Sequence, residues 1–181
     1  MIEKSIVNKY AKTLSVIIAE EKKPEEVFTN FFNVVDAICK EEASVKFFQN
    51  PSISTNIKIE KLSLILDELK FKGKYKNFLL KVIKNNRFKI LFYLKDATKK
   101  YLYEELGIVE VNLIVPKPIS KTTEKKFIEL FEKKSGKKVK LNIKVDKSII
   151  GGVVARIGSL LIDGSVKTKI FKIKEKLTGE L

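Results

Sequence analysis

Apolar positions in the N-terminal half recur at intervals of three and four residues, the period of amphipathic helices. Ile6, Val7, Tyr10, Ala11, Leu14, Ile17 and Ile18 share one face and predict a first helix over residues 3–20. Pro24 at a first-turn position, followed by Glu25 and Glu26, starts a second helix in the favourable dipole sense. Its inward face is Val27, Phe28, Phe31, Phe32, Val35 and Ile38. A short third helix ends near Phe48, because Gln49-Asn50-Pro51-Ser52 cannot continue it. A fourth is predicted over residues 57–69, with Leu62, Ile65, Leu66 and Leu69 inward and Gly73 after it. A fifth covers residues 75–85, with Phe78, Leu79, Val82 and Ile83 inward. The sixth runs from Arg87 to about Leu106 and is closed by Gly107 at the C′ position. Six helices with short connections read as one bundle.

At Gly107 the period changes from helical to alternating. Val109, Val111, Leu113 and Val115 form a strand that Pro116 and Pro118 stop. Ser120 caps a helix carrying Phe127, Ile128, Leu130 and Phe131, which ends at Ser135-Gly136. Val139, Leu141, Ile143 and Val145 then alternate with Lys140, Asn142 and Lys144, a second strand with one wet face. Residues 109–145 therefore read as a right-handed β-α-β crossover. After a turn at Asp146, Lys147 and Ser148, residues 149–157 read as a third strand. Gly158-Ser159 reads as a two-residue reversal and residues 160–162 as a fourth strand. Asp163-Gly164-Ser165 offers turn and N-cap chemistry to a last helix with Val166, Ile170, Ile173 and Leu177 on one face. The expected fold is α+β overall. An N-terminal all-α six-helix bundle over residues 1–106 precedes a small mixed α/β domain, ordered β-α-β-β-β-α, over residues 107–181. No Gly/Ser-rich linker separates them, so a short hinge is expected.

The totals narrow the function. At 181 residues with 44% hydrophobic content, the chain has enough apolar material for a packed core. No apolar run approaches the length of a bilayer span. The N-terminal segment lacks a signal peptide's apolar core and a transit peptide's Arg/Ser bias, so a cytosolic face is expected. A net charge of +15 would attract nucleic acid or anionic lipid. Yet only Arg87 and Arg156 among the 37 basic residues are arginine, the residue whose planar fork suits base edges and phosphates. Lysines spread over nearly every helix read as solvated faces. A basic nucleic-acid-binding or membrane-surface protein remains the alternative reading.

The chemistry that is missing matters as much. There is no histidine, which removes His-based triads and most catalytic zinc sites. The single Cys39 forbids an internal disulfide and reads as a buried thiol rather than a nucleophile. No phosphate-loop spacing of glycines occurs. Gly151-Gly152 fits a bulge or a close strand crossing. Asp163 has a local explanation as an Asx-turn or N-cap, and Arg156 is expected to pair with a neighbouring carboxylate. The chain reads as no enzyme by itself, with no cofactor, metal or small-molecule substrate.

The C-terminal run holding Asp146, Gly151, Gly152, Arg156, Ile157, Gly158, Asp163, Gly164, Ser165 and Leu177 resembles the signature of the delta subunit of F-type ATP synthases. That family is the bacterial relative of the oligomycin-sensitivity-conferring protein. Tyr10-Ala11 with Leu14, the Phe48-x-Asn50-Pro51 corner, and the stretch from Asn77 to Arg87 resemble the family too, so the likeness spans nearly the whole chain. The resemblance implies a non-catalytic stator subunit that links the crown of the catalytic head to the peripheral stalk, so that rotor torque drives ATP synthesis. It implies that Tyr10, Ala11, Leu14, Asn77, Phe78 and Leu79, on the first and fifth helices, hold the N-terminal helix of an alpha subunit. The region of Gly151, Gly152, Arg156, Gly158, Asp163, Gly164 and Ser165 would be structural or would face the stalk's b subunits. The implied location is peripheral, on the cytoplasmic face of the bacterial inner membrane, with membrane association only through the complex and no nucleic-acid partner. Two departures from the family pattern stand out. Val115-Pro116-Lys117-Pro118-Ile119-Ser120 replaces a corner that usually carries small residues before Pro-Leu-Ser, and lysine is unusually dense.

Overall fold

Helices fill the first part of the chain and a four-stranded mixed sheet organises the second, giving an α+β protein that is mostly helical. The structure, a computed structural model, describes residues 4–158 and 160–178. Glu3, expected to open the first helix, and Ser159, the second residue of the expected reversal, lie outside those residues. The chain divides into two compact units, Met1–Glu105 and Leu106–Leu181.

The first unit contains α1 (Lys4–Ala19), α2 (Pro24–Lys40), α3 (Glu42–Gln49), α4 (Thr55–Glu68), α5 (Lys74–Lys84) and α6 (Leu91–Glu105). α1 packs along α6, and α4 lies beside α5. The small side chains Ala11 and Ser15 on α1 and Thr98 on α6 are each 0% exposed, which lets these two backbones approach closely. Around them Leu14, Ile18, Phe31, Phe32, Leu66, Val82, Leu94 and Leu102 form the core.

Several boundaries differ from the sequence reading, each for a local reason. α4 starts at Thr55 because Ser54 caps it, its Oγ accepting from the Ile57 amide at 3.4 Å. Leu69 points outward, not inward, because the helix has ended: Lys70 turns left-handed at φ 54°. The Lys70 amide then donates to Asp67 O and the Phe71 amide to Leu66 O, the paired bonds of a Schellman close. Lys70, not Gly73, therefore ends α4, and Gly73 is the N-cap of α5. Asn86, at φ 53°, closes α5 in the same way, with its amide on Ile83 O and the Arg87 amide on Val82 O. The sixth helix therefore begins at Leu91, after a 3-10 turn at Phe88–Ile90, rather than at Arg87.

The second unit holds β1 (Ile108–Val115), α7 (Lys121–Ser135), β2 (Lys138–Val145), β3 (Val154–Ile157), β4 (Leu160–Asp163) and α8 (Val166–Thr178). The sheet order is β2-β1-β3-β4. β1 and β2 are parallel and joined through α7, with Val111 opposite Leu141; β3 runs antiparallel to both β1 and β4. Val111, Leu113 and Val115 on the central β1 are at most 1% exposed. α7 packs against this face through Phe131 and Phe127. It is capped at Ser120, whose Oγ accepts from the Thr123 amide at 3.2 Å, and closed by left-handed Gly136. Leu130 falls off the Phe127–Phe131 stripe and is exposed.

The expected third strand over residues 149–157 shrinks to Val154–Ile157. A 3-10 turn at Lys147–Ile149 precedes it, and Ile150 (φ 66°) and Gly152 (φ 76°) are left-handed, which no strand tolerates. The apolar face of α8 is uncovered: Val166, Ile170, Ile173 and Leu177 are 37%, 55%, 58% and 83% exposed.

Thr98 Oγ1 is fully buried without a hydrogen-bond partner among the described residues. A buried hydroxyl left unsatisfied costs about 1–3 kcal/mol. Thr98→Val, which keeps the shape, is therefore expected to raise stability by about 1 kcal/mol in a urea melt.

Candidate docking faces

The first face lies where α1 meets α5. The two helices are bridged by long side chains rather than by close backbones. Tyr10 and Phe78 meet edge to face with centroids 5.9 Å apart, and Phe31 lies 6.0 Å from Phe78. The Tyr10 hydroxyl accepts from Asn85 Nδ2 at 2.7 Å and from Arg87 Nη1 at 3.3 Å, while the Arg87 guanidinium sits 5.5 Å from the Tyr10 ring. At the other end the Tyr75 hydroxyl donates to Glu21 Oε1 at 3.0 Å, and Lys74 Nζ pairs with the same carboxylate at 2.8 Å. The Lys74 ammonium, then the Tyr75 hydroxyl, hold Glu21 below its usual value, and burial followed by Glu21 pushes the Tyr75 hydroxyl up.

Of the six residues singled out for this face, Ala11 and Leu14 are 0% exposed, Leu79 1% and Phe78 9%. These four are core residues that set the shape of the face. A ligand reaches half-buried Tyr10 and exposed Asn77, and only the rim of Phe78. Asn85, Arg87, Glu21 and Tyr75, which pin the two helices together, are not apparent from helical period alone. The Asn-x-Arg ending of α5 is their one sequence trace.

The second face is built by the glycine-rich stretch. The Gly164 amide donates to Val153 O and the Val166 amide to Gly151 O, both at 2.9 Å. This double lacing brings backbones so close that a Cβ on Gly152 would sit 2.2 Å from Gly164 O. Of the two roles expected for Gly151-Gly152, the close crossing is what forms; the pair lies in a loop, not in a strand bulge. Asp163 Oδ1 accepts from the Ser165 amide at 2.8 Å and Oδ2 from Thr168 Oγ1 at 2.7 Å. Buried Ser165 is the N-cap of α8, its Oγ accepting from the Thr168 amide at 3.2 Å. The Ser165 amide first, then the Thr168 hydroxyl, hold the Asp163 carboxyl below its usual 3.8. Gly158 makes the turn after β3 at φ 57°.

Arg156 departs from expectation. It is exposed on β3, opposite Asn112 and Leu161, and makes no ion pair among the described residues. Asp163, at the end of the adjacent β4, is committed to Ser165 and Thr168.

What this lacing presents is apolar. Ile170 and Phe171 line a cavity of about 600 Å³ together with Ile149, Val154, Asp163 and Ser165. Leu160, Leu161 and Ile162 on β4 are 58%, 53% and 45% exposed, and Phe171 and Ile173 on α8 are 60% and 58% exposed. A monomer rarely leaves so many large apolar side chains on two elements in water unless something covers them.

The titratable groups with displaced pKa values serve structure. Burial, then the nearby Asp36 charge, push the Cys39 thiol up to about 11, which keeps it protonated and unreactive. No cluster of His, Cys, Asp and Glu able to hold a metal occurs among the described residues, and no helix there is long and apolar enough to cross a membrane. Each unit thus presents a face shaped by packing and capping.

The family model described as ATP synthase delta (OSCP) subunit matches residues 6–177, and the chain belongs to that family. An ATP synthase subunit delta of Clostridioides difficile is 32% identical over 174 residues, spanning 96% of each chain. One of Clostridium botulinum, strain Loch Maree, is 33% identical over 93% of this chain and 94% of its own. One of Geotalea uraniireducens is 29% identical over 98% of each. Among solved structures, a chain of the Toxoplasma gondii mitochondrial ATP synthase hexamer shares the fold, at TM-score 0.55 and 20% identity, over 95% of this chain and 97% of that one. The chain is thus a structural, non-catalytic stator subunit of the F-type ATP synthase, peripheral to the membrane and serving ATP synthesis and ion transport. The basic nucleic-acid-binding or membrane-surface alternative finds no support in these relatives.

Two outcomes test the second face. Gly152→Ala is expected to cost at least about 2 kcal/mol, because left-handed strain adds to a collision with rigid backbone. Amide exchange in the full chain should show the loss confined to β3, β4 and α8. Asp163, with its carboxyl held low when folded, contributes stability that is complete above the usual 3.8 and is lost as pH falls through the folded value. Asp163→Asn should flatten that part of the acid melt, followed through the amides of Ser165 and Thr168.

Proposed function

We propose that the first unit holds the N-terminal helix of an ATP synthase alpha subunit and that the second holds the ends of the peripheral stalk's b subunits. The working boundary is residues 1–106 for the head contact, read as a six-helix bundle, and residues 107–181 for the stalk contact. The chain would then sit peripherally on the cytoplasmic face of the bacterial inner membrane, tied to it only through the complex. It would keep the catalytic head from turning with the rotor.

The observation that carries this reading is the uncovered apolar surface of α8 and β4. Leu160, Leu161, Ile162, Ile170, Phe171 and Ile173 are each about half exposed. Covering the rest of such side chains gains roughly 1 kcal/mol apiece, since complete burial is worth about 1.5–3 kcal/mol. Against the cost of association, that supports a modest contact by itself. A joint that stays closed through many turnovers needs about −12 kcal/mol, the nanomolar range. Two modest contacts linked in one chain reach that through effective concentration when both partners belong to one assembly. The first face supports the reading more narrowly, through Tyr10, Asn77 and the rim of Phe78 beside a well-pinned pair of helices.

The decisive experiment mixes the chain with purified head and with stalk fragments, separately and together, and follows complexes by size exclusion. Bridging of the two is expected, and failure to bind either ends the proposal. Exposed positions give cleaner variants than core ones. Phe171→Asp should weaken stalk binding by tenfold or more, and Asn77→Arg should do the same for an alpha N-terminal peptide. Neither should move the melting temperature by more than a degree or two, as surface changes rarely exceed about 0.5 kcal/mol.

A further inference from the structure

Lys58, on α4, is 5% exposed, the one buried lysine or arginine among the described residues. Its side chain makes no hydrogen bond or ion pair with any described residue. Its apolar stem is buried while its ammonium keeps contact with the solvent of the cavity beside it, since Thr98 Oγ1 is the one fully buried side-chain polar atom without a partner among the described residues. Lys58 lines a cavity of about 700 Å³ whose wall also includes Arg87 and Lys89 and no aspartate or glutamate. The first turn of α4 borders the same space, with Ser54 and Thr55 at its mouth. Helix amides at that position have no intrahelical acceptors and carry the positive end of the helix dipole. The lining also includes Phe48 and Phe88, stacked at 5.1 Å, with Ile6, Ile53 and Ile90 as further apolar wall.

We propose that this cavity binds an organic phosphate, its oxyanion at Lys58 and the α4 N-terminus and its apolar body against Phe48 and Ile53. The Lys58 ammonium, the first-turn amides of α4 and Lys89 supply donors, with Thr55 held by Asn86 Oδ1 at 3.3 Å and Arg87 held by Tyr10, and a tetrahedral oxyanion accepts from several directions at once. The volume exceeds what a bare phosphate fills and matches a small-molecule pocket. The cavity shares Arg87 with the pins on Tyr10 but includes neither Asn77 nor any residue of the second unit, so Asn77→Arg separates it from the head contact.

The test is amide chemical-shift mapping on the full chain with phenyl phosphate, inorganic phosphate, phenol and a short-chain phosphatidate below its micelle concentration. Phenyl phosphate is expected to shift Phe48, Thr55, Lys58 and Asn86 saturably, at least tenfold more tightly than phenol or inorganic phosphate. Tighter binding of the phosphatidate would assign the phosphate to a lipid headgroup, and tighter binding of phenyl phosphate to a free ester. Lys58→Met should retain the fold and lose binding by tenfold or more, whereas Lys125→Met, on α7, should change nothing. Non-saturating shifts spread over lysines of both units, or unchanged binding by Lys58→Met, would overturn the proposal. Should Lys58→Met fail to fold, the wild-type map alone decides, and shifts centred away from the cavity reject it.

Discussion

The approach of α1 to α6 is the constraint on which the first unit rests. It joins the unit's first helix to its last, and Ala11, Ser15 and Thr98 keep it short. With α1 fixed there, its other side is left to meet α5 across the rings of Tyr10, Phe31 and Phe78. Polar pins at both ends, from Asn85 and Arg87 to Tyr10 and from Lys74 and Tyr75 to Glu21, stop the pair from splaying. A surface held on that many sides is pre-organised, so a partner segment spends little of its affinity on ordering it.

The second unit solves a different problem by similar means. α8 has little sheet to lean on, and its apolar side chains face outward. What fixes it is backbone: the bonds from Gly164 to Val153 and from Val166 to Gly151, with Asp163 and Ser165 closing the first turn. Anchoring a helix by its N-terminus leaves its length free for an outside surface. That division of labour explains why the glycine and aspartate positions carry no reactive chemistry although they look like a site.

Much of this was legible in the sequence. Helical and alternating periods located the elements, Gly107 marked the change between them, and Ser120 and Gly136 announced the ends of α7. The errors share a physical origin. Lys70 ends α4 in a left-handed conformation ordinarily left to glycine, so nothing in its identity announces the stop, whereas Asn86, of a type that tolerates that conformation, closes α5 where the period predicts. Ile150 is left-handed as well, and an apolar run that passes through it cannot be told from a strand by composition. Periodicity also says which residues share a helix face but not what covers it. It placed Ala11, Leu14 and Leu79 correctly on helix faces that turn out to be interior, and gave α8 an apolar stripe that lies open. Lys58 was invisible for the same reason, since burial of a lysine depends on loops that pattern alone does not position.

The two outermost strands of the sheet are treated unequally. β2 carries Lys138, Lys140 and Lys144, charges that discourage a stray strand from zipping onto its unpaired amides and carbonyls. β4 offers Leu160, Leu161 and Ile162 before reaching its first charge at Asp163. Such an unguarded rim is a nucleus for aggregation, so in cells making more of this chain than the rest of its assembly, clumping would begin at β4 and supply would have to be matched to that of its companions.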